Sequence, residues 1–203
     1  MKRLLHVAAA GLLSISGTAL AAKVPVTVDD LMKLRSIMDV RISPDGAQVA
    51  YVVSTPSLER NAHEAAIYVV PAQGGLPARL AEKAKVFTPR VPVAKLRFTP
   101  DGKSVSFLGL AGDKPQVFVA VVSGGEPRAV TLAPEGVTSY EWSPDGKSIA
   151  YLTRDPAPAS LVIHAGAPDP ATRLWVQAAD AGPARALTPS RVPARDRTRS
   201  PHS

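Results

Sequence analysis

The sequence predicts an all-β fold, a partial β-propeller of about three four-stranded blades with a short N-terminal helix. The first observation is a motif in which an apolar residue precedes Ser/Thr-Pro-Asp-Gly, at residues 42–46, 98–102 and 142–146. The copies begin 56 and 44 residues apart, and repeats of roughly 40–50 residues are typical of propeller blades. The second observation is that the same order of apolar strands and tight turns surrounds each copy.

The first element, residues 1–22, is predicted to be a cleaved secretory signal peptide. Lys2 and Arg3 supply its positive start, an apolar stretch follows, and Ala19-Leu20-Ala21 offers the small residues of a cleavage site near Ala21. An uncleaved anchor is the alternative, but the apolar run is shorter than the ~20 residues of a spanning helix. We therefore expect export, to the periplasm in a Gram-negative source, and no stable membrane span after cleavage.

Residues 23–38 are predicted to form a leader that contains the helix. Thr27 followed three residues later by Asp30 is a capping-box arrangement. Asp29 and Asp30 also favour the positive end of the helix dipole. The pattern predicts a helix from about Val28 to Arg35.

Each repeat then contains signals for four antiparallel strands. In the motif, proline presets the first turn position and glycine takes the left-handed one, so the next apolar strand returns as a hairpin. A variable loop, a third apolar strand, a second tight turn and a short edge strand complete the unit. A β-sandwich or a solenoid could use the same turns, but the matched order favours a propeller. One equivalent position of the returning strand is aromatic and is expected to pack between blades: Tyr51, Phe107 and Tyr151.

The blades are expected at about 39–82, 93–132 and 137–188, so that they occupy residues 39–189. Residues 190–203 contain four arginines and one aliphatic side chain larger than alanine, and we expect them to be disordered. A basic interaction arm is the alternative interpretation. The abrupt change in composition instead suggests an early end, produced by a frameshift or a misplaced gene end.

The net charge of +7 belongs to the two ends of the chain. Between the signal and the tail there are 18 basic and 16 acidic residues, about +2. There is no basic stripe interleaved with aromatic residues, and export would remove the usual partner. Nucleic acid is therefore not expected as a partner.

Taken together, the export signal, the leader 26–35 and blades that read Ser-Pro-Asp-Gly-x-x-x-Ala-Tyr at 43–51 and 143–151 resemble a known family. The resemblance is to the N-terminal part of prolyl oligopeptidase-family serine peptidases, near the acylaminoacyl-peptidase and dipeptidyl-aminopeptidase-like branch, over about 25–189. The Pro-Asp-Gly blade alone is also similar to TolB-type periplasmic propellers.

This resemblance implies a propeller of about seven blades that restricts access to a following α/β-hydrolase domain with a Ser-Asp-His triad. The sequence stops after three blades and contains no Gly-x-Ser-x-Gly nucleophile elbow. The expectation is a truncated, non-catalytic propeller portion that meets peptide substrates only through a missing hydrolase domain. A TolB-like periplasmic module that binds proteins is the alternative function.

No catalytic, cofactor-binding or metal-ligating residue is predicted, and no cofactor is expected. His63 or His164 with Glu64 or Asp169 could form a Ser/His/Asp site, but nothing supplies the strained turn and oxyanion donors. Both are expected to be solvated loop histidines, whereas the remaining two lie in the signal and the tail, His6 and His202.

Other recurrent residues also receive structural interpretations. One carboxylate per blade turn cannot supply the six to eight oxygens that calcium prefers; these are Asp45, Asp101 and Asp145. Lys103 and Lys147 follow the turn glycines and are expected to be solvated. The glycine pairs 74–75 and 124–125 lack the strand-to-helix context of a phosphate loop. Finally, three blades would leave two open faces, so we expect self-association through them.

Overall fold

The computed structural model describes residues 25–87, 95–155 and 172–188, and in them it confirms the predicted all-β class. Three four-stranded antiparallel sheets follow one short helix, α1 at Val28–Met32. The first sheet comprises β1 Ser36–Ile42, β2 Gln48–Ser57, β3 Ala62–Pro71 and β4 Ala78–Leu80. The second comprises β5 Arg97–Phe98, β6 Ser104–Ala111, β7 Lys114–Val121 and β8 Arg128–Ala129. The third comprises β9 Ser139–Trp142, β10 Ser148–Arg154, β11 Thr172–Ala178 and β12 Arg185–Ala186.

Each sheet is a meander in which consecutive strands pair as neighbours. We number the sheets as blades 1, 2 and 3 in chain order. The predicted signal peptide, the tail and parts of two connections lie outside the described residues. No helix among residues 25–87, 95–155 and 172–188 is long and apolar enough to cross a membrane.

The repeated motif forms the predicted turn in all three blades. In blade 1 the Ser43 hydroxyl donates to Asp45 Oδ1 over 2.5 Å, and the same carboxylate oxygen accepts from the Ala47 amide over 3.0 Å. Thr99 and Ser143 hold their aspartates in the same way over 2.6 Å. The turn glycines have φ between 71° and 73°, a region that side chains with a Cβ rarely adopt.

The helix is shorter than the sequence predicts, because it ends at Met32 rather than near Arg35. Its capping box is present: the Asp30 amide donates to Thr27 Oγ1 over 3.2 Å, and the Thr27 amide donates to Asp30 Oδ2 over 3.1 Å. None of its residues is buried. A helix without a packed face gains little from further turns, and the chain instead enters β1 at Ser36.

The core consists of two buried clusters, one at each contact between blades. Aliphatic residues of β2 and β3 pack in one cluster with β5 and β6, which joins blades 1 and 2. Residues of β6 and β7 pack in the other with β9 and β10, which joins blades 2 and 3. Each contact between blades therefore joins one face of a sheet to one face of the next sheet.

The aromatic residue of each returning strand is paired within its own sheet. Tyr51, Phe107 and Tyr151 stack on third-strand aromatics at centroid distances of 5.6, 5.8 and 6.5 Å, and the partners are Tyr68, Phe118 and Trp175. Phe107 and Tyr151 are buried in the contacts between blades, as predicted. The position in blade 1 differs, because Tyr51 is only partly buried and belongs to neither cluster.

Candidate functional site

A row of polar side chains follows the first strand of each blade. The row comprises the residues two and four positions before the Ser/Thr of each motif: Asp39, Arg41, Lys95, Arg97, Ser139 and Glu141. Neighbouring blades exchange polar side-chain contacts through these first strands. These contacts make the row continuous from one blade to the next. We call it the inner row.

In the inner row, blades 2 and 3 are joined by contacts between side chains of the one blade and side chains of the other. Arg97 contacts the Glu141 carboxylate with Nη2 and Nε, at 2.8 and 3.2 Å from Oε1. Lys95 Nζ donates to Ser139 Oγ over 2.6 Å. The hydrogen bonds from Arg97 lower the pKa of Glu141, and Glu141 in turn raises the pKa of Arg97. Both groups are therefore ionised at neutral pH.

Blades 1 and 2 are joined differently, through the backbone of Leu96. Arg41 Nε donates to the Leu96 carbonyl over 3.0 Å, and the Leu96 amide donates to Asp39 Oδ2 over 3.1 Å. Asp39 and Arg41 also form an ion pair at 3.2 Å. Two of the three inner-row cations, Arg41 and Arg97, thus pair with carboxylates, whereas Lys95 bonds to a hydroxyl.

Beneath the inner row, a buried hydroxyl cluster links blades 2 and 3. Ser106 Oγ accepts from Trp142 Nε1 over 2.8 Å, and the Tyr140 hydroxyl lies 3.1 Å from it. Tyr140 donates to the Lys95 carbonyl over 2.7 Å, and burial raises the pKa of its hydroxyl. This cluster was not predicted from the sequence. The available signal was a serine in blade 2 at the position where both other blades have alanine, Ala50 and Ala150.

A second buried polar group connects the outer strands. Gln116 accepts from Thr131 Oγ1 over 2.8 Å and from the Ala133 amide over 2.9 Å, and it donates to the Ala133 carbonyl over 2.8 Å. Gln177 of blade 3 donates to the Val130 carbonyl of blade 2. The hydrogen bonds of Gln116 connect β7 to the segment after β8, and that of Gln177 connects blade 3 to blade 2.

The residues considered for catalysis do not come together in the described part of the chain. His63 is an exposed residue of strand β3 rather than of a loop, which corrects the sequence prediction. Its Nδ1 lies 3.3 Å from Ser54 Oγ, but that serine is buried, and Glu64 pairs with Arg60 instead. His6, His164, His202 and Asp169 lie outside the described residues.

Metal ligands and cavities give no stronger candidate. Residues 25–87, 95–155 and 172–188 contain no group of three His, Asp or Glu side chains that could hold a metal ion. Asp45, Asp101 and Asp145 each belong to a separate turn, where the neighbouring hydroxyl lowers their pKa. An open groove of about 390 Å³ lies where blades 2 and 3 meet, beside Trp175 and the ion pair of Arg173 with Asp155. The absence of a catalytic, cofactor or metal site in the whole chain stays a prediction.

Comparisons with known proteins find peptidases among the relatives of this chain. No family model matches the chain. It is 32% identical over 127 residues to an uncharacterized peptidase, YuxL, of Bacillus subtilis, with 61% of this chain and 18% of the relative covered. It is 31% identical over 126 residues to dipeptidyl-peptidase 5 of Porphyromonas endodontalis, with 62% of this chain and 17% of the relative covered. The chain therefore spans less than a fifth of the length of these relatives.

Solved structures show the same fold. The acylaminoacyl peptidase of Pyrococcus horikoshii superposes with a TM-score of 0.61 at 20% identity, over 79% of this chain and 26% of that one. TolB of Acinetobacter baumannii superposes with a TM-score of 0.52 at 21% identity, over 74% of this chain and 32% of that one.

The described residues thus define a β-propeller portion built of meander blades. The curated relatives are peptidases, and they confirm the predicted resemblance to the propeller portion of the prolyl oligopeptidase family.

Proposed function

We propose that this chain is a non-catalytic propeller portion of an exported peptidase of the prolyl oligopeptidase family. In this proposal the blades restrict the access of peptides to a hydrolase domain that the sequence does not contain. The observation that carries it is the peptidase identity of relatives of which the chain spans less than a fifth.

The chemistry of the described residues supports the non-catalytic part of this proposal. The recurrent aspartates are bound to hydroxyl and amide groups of their own turns. The inner-row carboxylates are paired with arginines, and the buried hydroxyls of Ser106 and Tyr140 contact each other and backbone carbonyls. A nucleophile needs an adjacent base and a preorganised oxyanion site, and none of these groups has that arrangement.

An assay on the purified chain tests the absence of activity. We expect no hydrolysis of chromogenic dipeptidyl or acyl-aminoacyl substrates, with a complete dipeptidyl-peptidase 5 as the positive control. Turnover by a preparation with the far-ultraviolet spectrum of a β protein would contradict the non-catalytic proposal. The variant Ser54→Ala is the matched control, since loss of that turnover in it would assign the activity to the Ser54–His63 contact.

A TolB-like periplasmic module that binds proteins is the second candidate, and the likeness to TolB favours it. The DNA that follows codon 203 distinguishes the two. Further Pro-Asp-Gly blades followed by a Gly-x-Ser-x-Gly segment in any frame would support the peptidase. A few more blades and then a stop codon would support the binding module.

Export is the remaining part of the proposal, and it rests on residues 1–22. We expect the chain expressed in a Gram-negative host to appear in the periplasmic fraction with an N-terminus just after Ala21 or Ala22. N-terminal mass spectrometry measures this directly. A cytoplasmic product that retains Met1 would contradict it.

A further inference from the structure

The inner row consists of two tiers, and their cations are partnered differently. The near tier lies two positions before the Ser/Thr of each motif and contains Arg41, Arg97 and Glu141. The far tier lies four positions before it and contains Asp39, Lys95 and Ser139. Because the three blades share one repeat, the two tiers can be compared position by position.

The contact between blades 2 and 3 joins a cation to a carboxylate in the near tier but to a hydroxyl in the far tier. Arg97 Nη2 lies 2.8 Å from Glu141 Oε1, whereas Lys95 Nζ lies 2.6 Å from Ser139 Oγ. Lys95 has no carboxylate partner among the described residues. Residues 88–94, which precede it and lie outside the described part, contain no Asp or Glu. A serine therefore holds the position at which a carboxylate would complete the far tier.

Lys95 and Ser139 also have hydrogen-bond donors to spare. An ammonium group has three N–H donors, and within the described residues Lys95 uses one of them, on Ser139 Oγ. The Ser139 oxygen accepts that bond, and its own hydrogen meets no acceptor in residues 25–87, 95–155 and 172–188. Since a hydroxyl hydrogen rotates, one anionic oxygen can accept from both groups at once.

The backbone that carries Lys95 is fixed by both neighbouring blades. The buried Tyr140 of blade 3 donates its hydroxyl to the Lys95 carbonyl over 2.7 Å. From blade 1, Asp39 accepts from the Leu96 amide over 3.1 Å and Arg41 donates to the Leu96 carbonyl over 3.0 Å. Lys95 itself is partly buried. A cation held in this way loses less conformational freedom on binding than a lysine of an exposed turn.

The charges of the inner row favour a further anion. The row contains three cations and two carboxylates, so one positive charge is in excess. The pKa of Glu141 is lowered chiefly by its hydrogen bonds from Arg97, and further by the charges of Lys95 and Arg41. These cations thus already stabilise the ionised form of the carboxyl group nearest to them.

We propose that Lys95 and Ser139 bind a carboxylate group of a peptide, either its C-terminus or an acidic side chain. The carboxylate would accept from Lys95 Nζ and from the Ser139 hydroxyl, as Glu141 accepts from Arg97 in the near tier. Hydrogen bonds to an ionised partner are roughly twice as strong as those between neutral groups. The inference rests on the proposed function and deepens it, because it names the class of peptide that the propeller portion favours.

Titration of the purified chain with three small peptides tests this proposal. The probes are N-acetyl-alanyl-alanine, N-acetyl-alanyl-aspartic acid amide and the uncharged N-acetyl-alanyl-alanine amide, followed by nuclear magnetic resonance of the backbone amides of residues 95 and 139. We expect a saturable shift with a carboxylate peptide and none with the uncharged one. Comparison of the two carboxylate peptides distinguishes a C-terminus from an acidic side chain.

Two variants of the site and one control identify the residues responsible. Lys95→Gln should weaken binding by about 10-fold or more, because the charge-assisted contact becomes a neutral one. Ser139→Asp should abolish it, because a carboxylate of the chain itself would then occupy Lys95. Lys103→Gln is the matched control, since Lys103 is an exposed turn lysine of the same blade. Thermal unfolding confirms that each variant is folded.

Four results would overturn the proposal. They are the absence of a saturable shift with either carboxylate peptide, an equal shift with the uncharged peptide, a loss in Lys103→Gln as large as in Lys95→Gln, and unchanged binding by Ser139→Asp. None of them concerns hydrolysis or the DNA after codon 203, so failure here is distinguishable from failure of the proposed function.

Discussion

The contact between blades 1 and 2 and the contact between blades 2 and 3 use equivalent strands of the repeat, but the side chains at their centres differ in polarity. In the first, Ala50 shares an apolar cluster with Leu96 and Phe98. In the second, the equivalent Ser106 bonds to Trp142 and lies beside Tyr140. The same arrangement of strands is therefore compatible with an alanine or a serine at the centre of a blade contact, provided that the residues of the neighbouring blade differ in step. This matched change assigns each blade a particular neighbour, because a buried hydroxyl without a partner is costly.

The largest effect should come from the apolar contact. Leu96 is fully buried, and Leu96→Ala would leave a cavity between blades 1 and 2. We expect a loss of about 3 kcal/mol of unfolding free energy, within the range for buried leucine truncation. Urea denaturation measures it, and Leu132→Ala at an 83% exposed position should change almost nothing. A loss below about 1 kcal/mol would mean that the first contact is not a packed core.

A smaller effect is expected at Gly109, which lies behind the aromatic stack of blade 2. A Cβ at this position would lie 2.8 Å from the Phe118 ring and 3.2 Å from that of Phe107. Gly109→Ala should therefore destabilise the chain by about 2 kcal/mol through overpacking. Phe118→Leu in the same background should recover part of the loss, and additive losses would show that the ring is not the obstacle.

Exchanging the central residues of the two blade contacts, Ser106 and Ala50, should destabilise both contacts to a similar extent, and less than Leu96→Ala does. Ser106→Ala leaves the Trp142 indole N–H without its acceptor, and Ala50→Ser places a hydroxyl in an apolar cluster. Each should cost about 1–2 kcal/mol in thermal or urea unfolding. If Ala50→Ser were neutral, a hydroxyl at this position would not need Tyr and Trp partners.

The smallest effect is expected from the Arg97–Glu141 pair of the inner row. Arg97→Gln should cost under about 1 kcal/mol near neutral pH, because the carboxylate is largely solvated. The folded-state pKa of Glu141 lies below its ordinary value of 4.5. Its contribution is therefore present above that pH and is lost as the pH falls through the lower folded-state pKa. Stability against pH, measured for the unmodified chain and Arg97→Gln, should converge in acid; a constant difference would contradict the pair.

Features within a few residues of one another could be predicted from the sequence. The motif turns are of this kind, because Ser43, Asp45 and Gly46 contain all the groups that the turn needs. The beginning of the helix was also predictable, since Thr27 and Asp30 cap it locally. Its end was not, because that depends on whether Leu31 and Leu34 find a packing surface, and both stay exposed.

The burial of Phe107 and Tyr151 between blades was predicted, but the particular side chains that meet through strand register or across a blade contact were missed. Tyr51 was recognised, but its partner Tyr68 becomes adjacent only through the pairing of β2 with β3. The link from Ser106 to Tyr140 spans 34 residues and two blades. Within an apolar strand pattern, a serine is informative only when the strand opposite it is known.

A double-mutant cycle between Ser106 and Tyr140 tests most directly whether the contact of blades 2 and 3 is a matched polar unit. Ser106→Ala, Tyr140→Phe and the double variant are compared by urea unfolding. We predict a coupling free energy of about 1 kcal/mol, so that the second substitution costs less once the first is present. Strictly additive losses would contradict the account, because the two hydroxyls would then contribute independently.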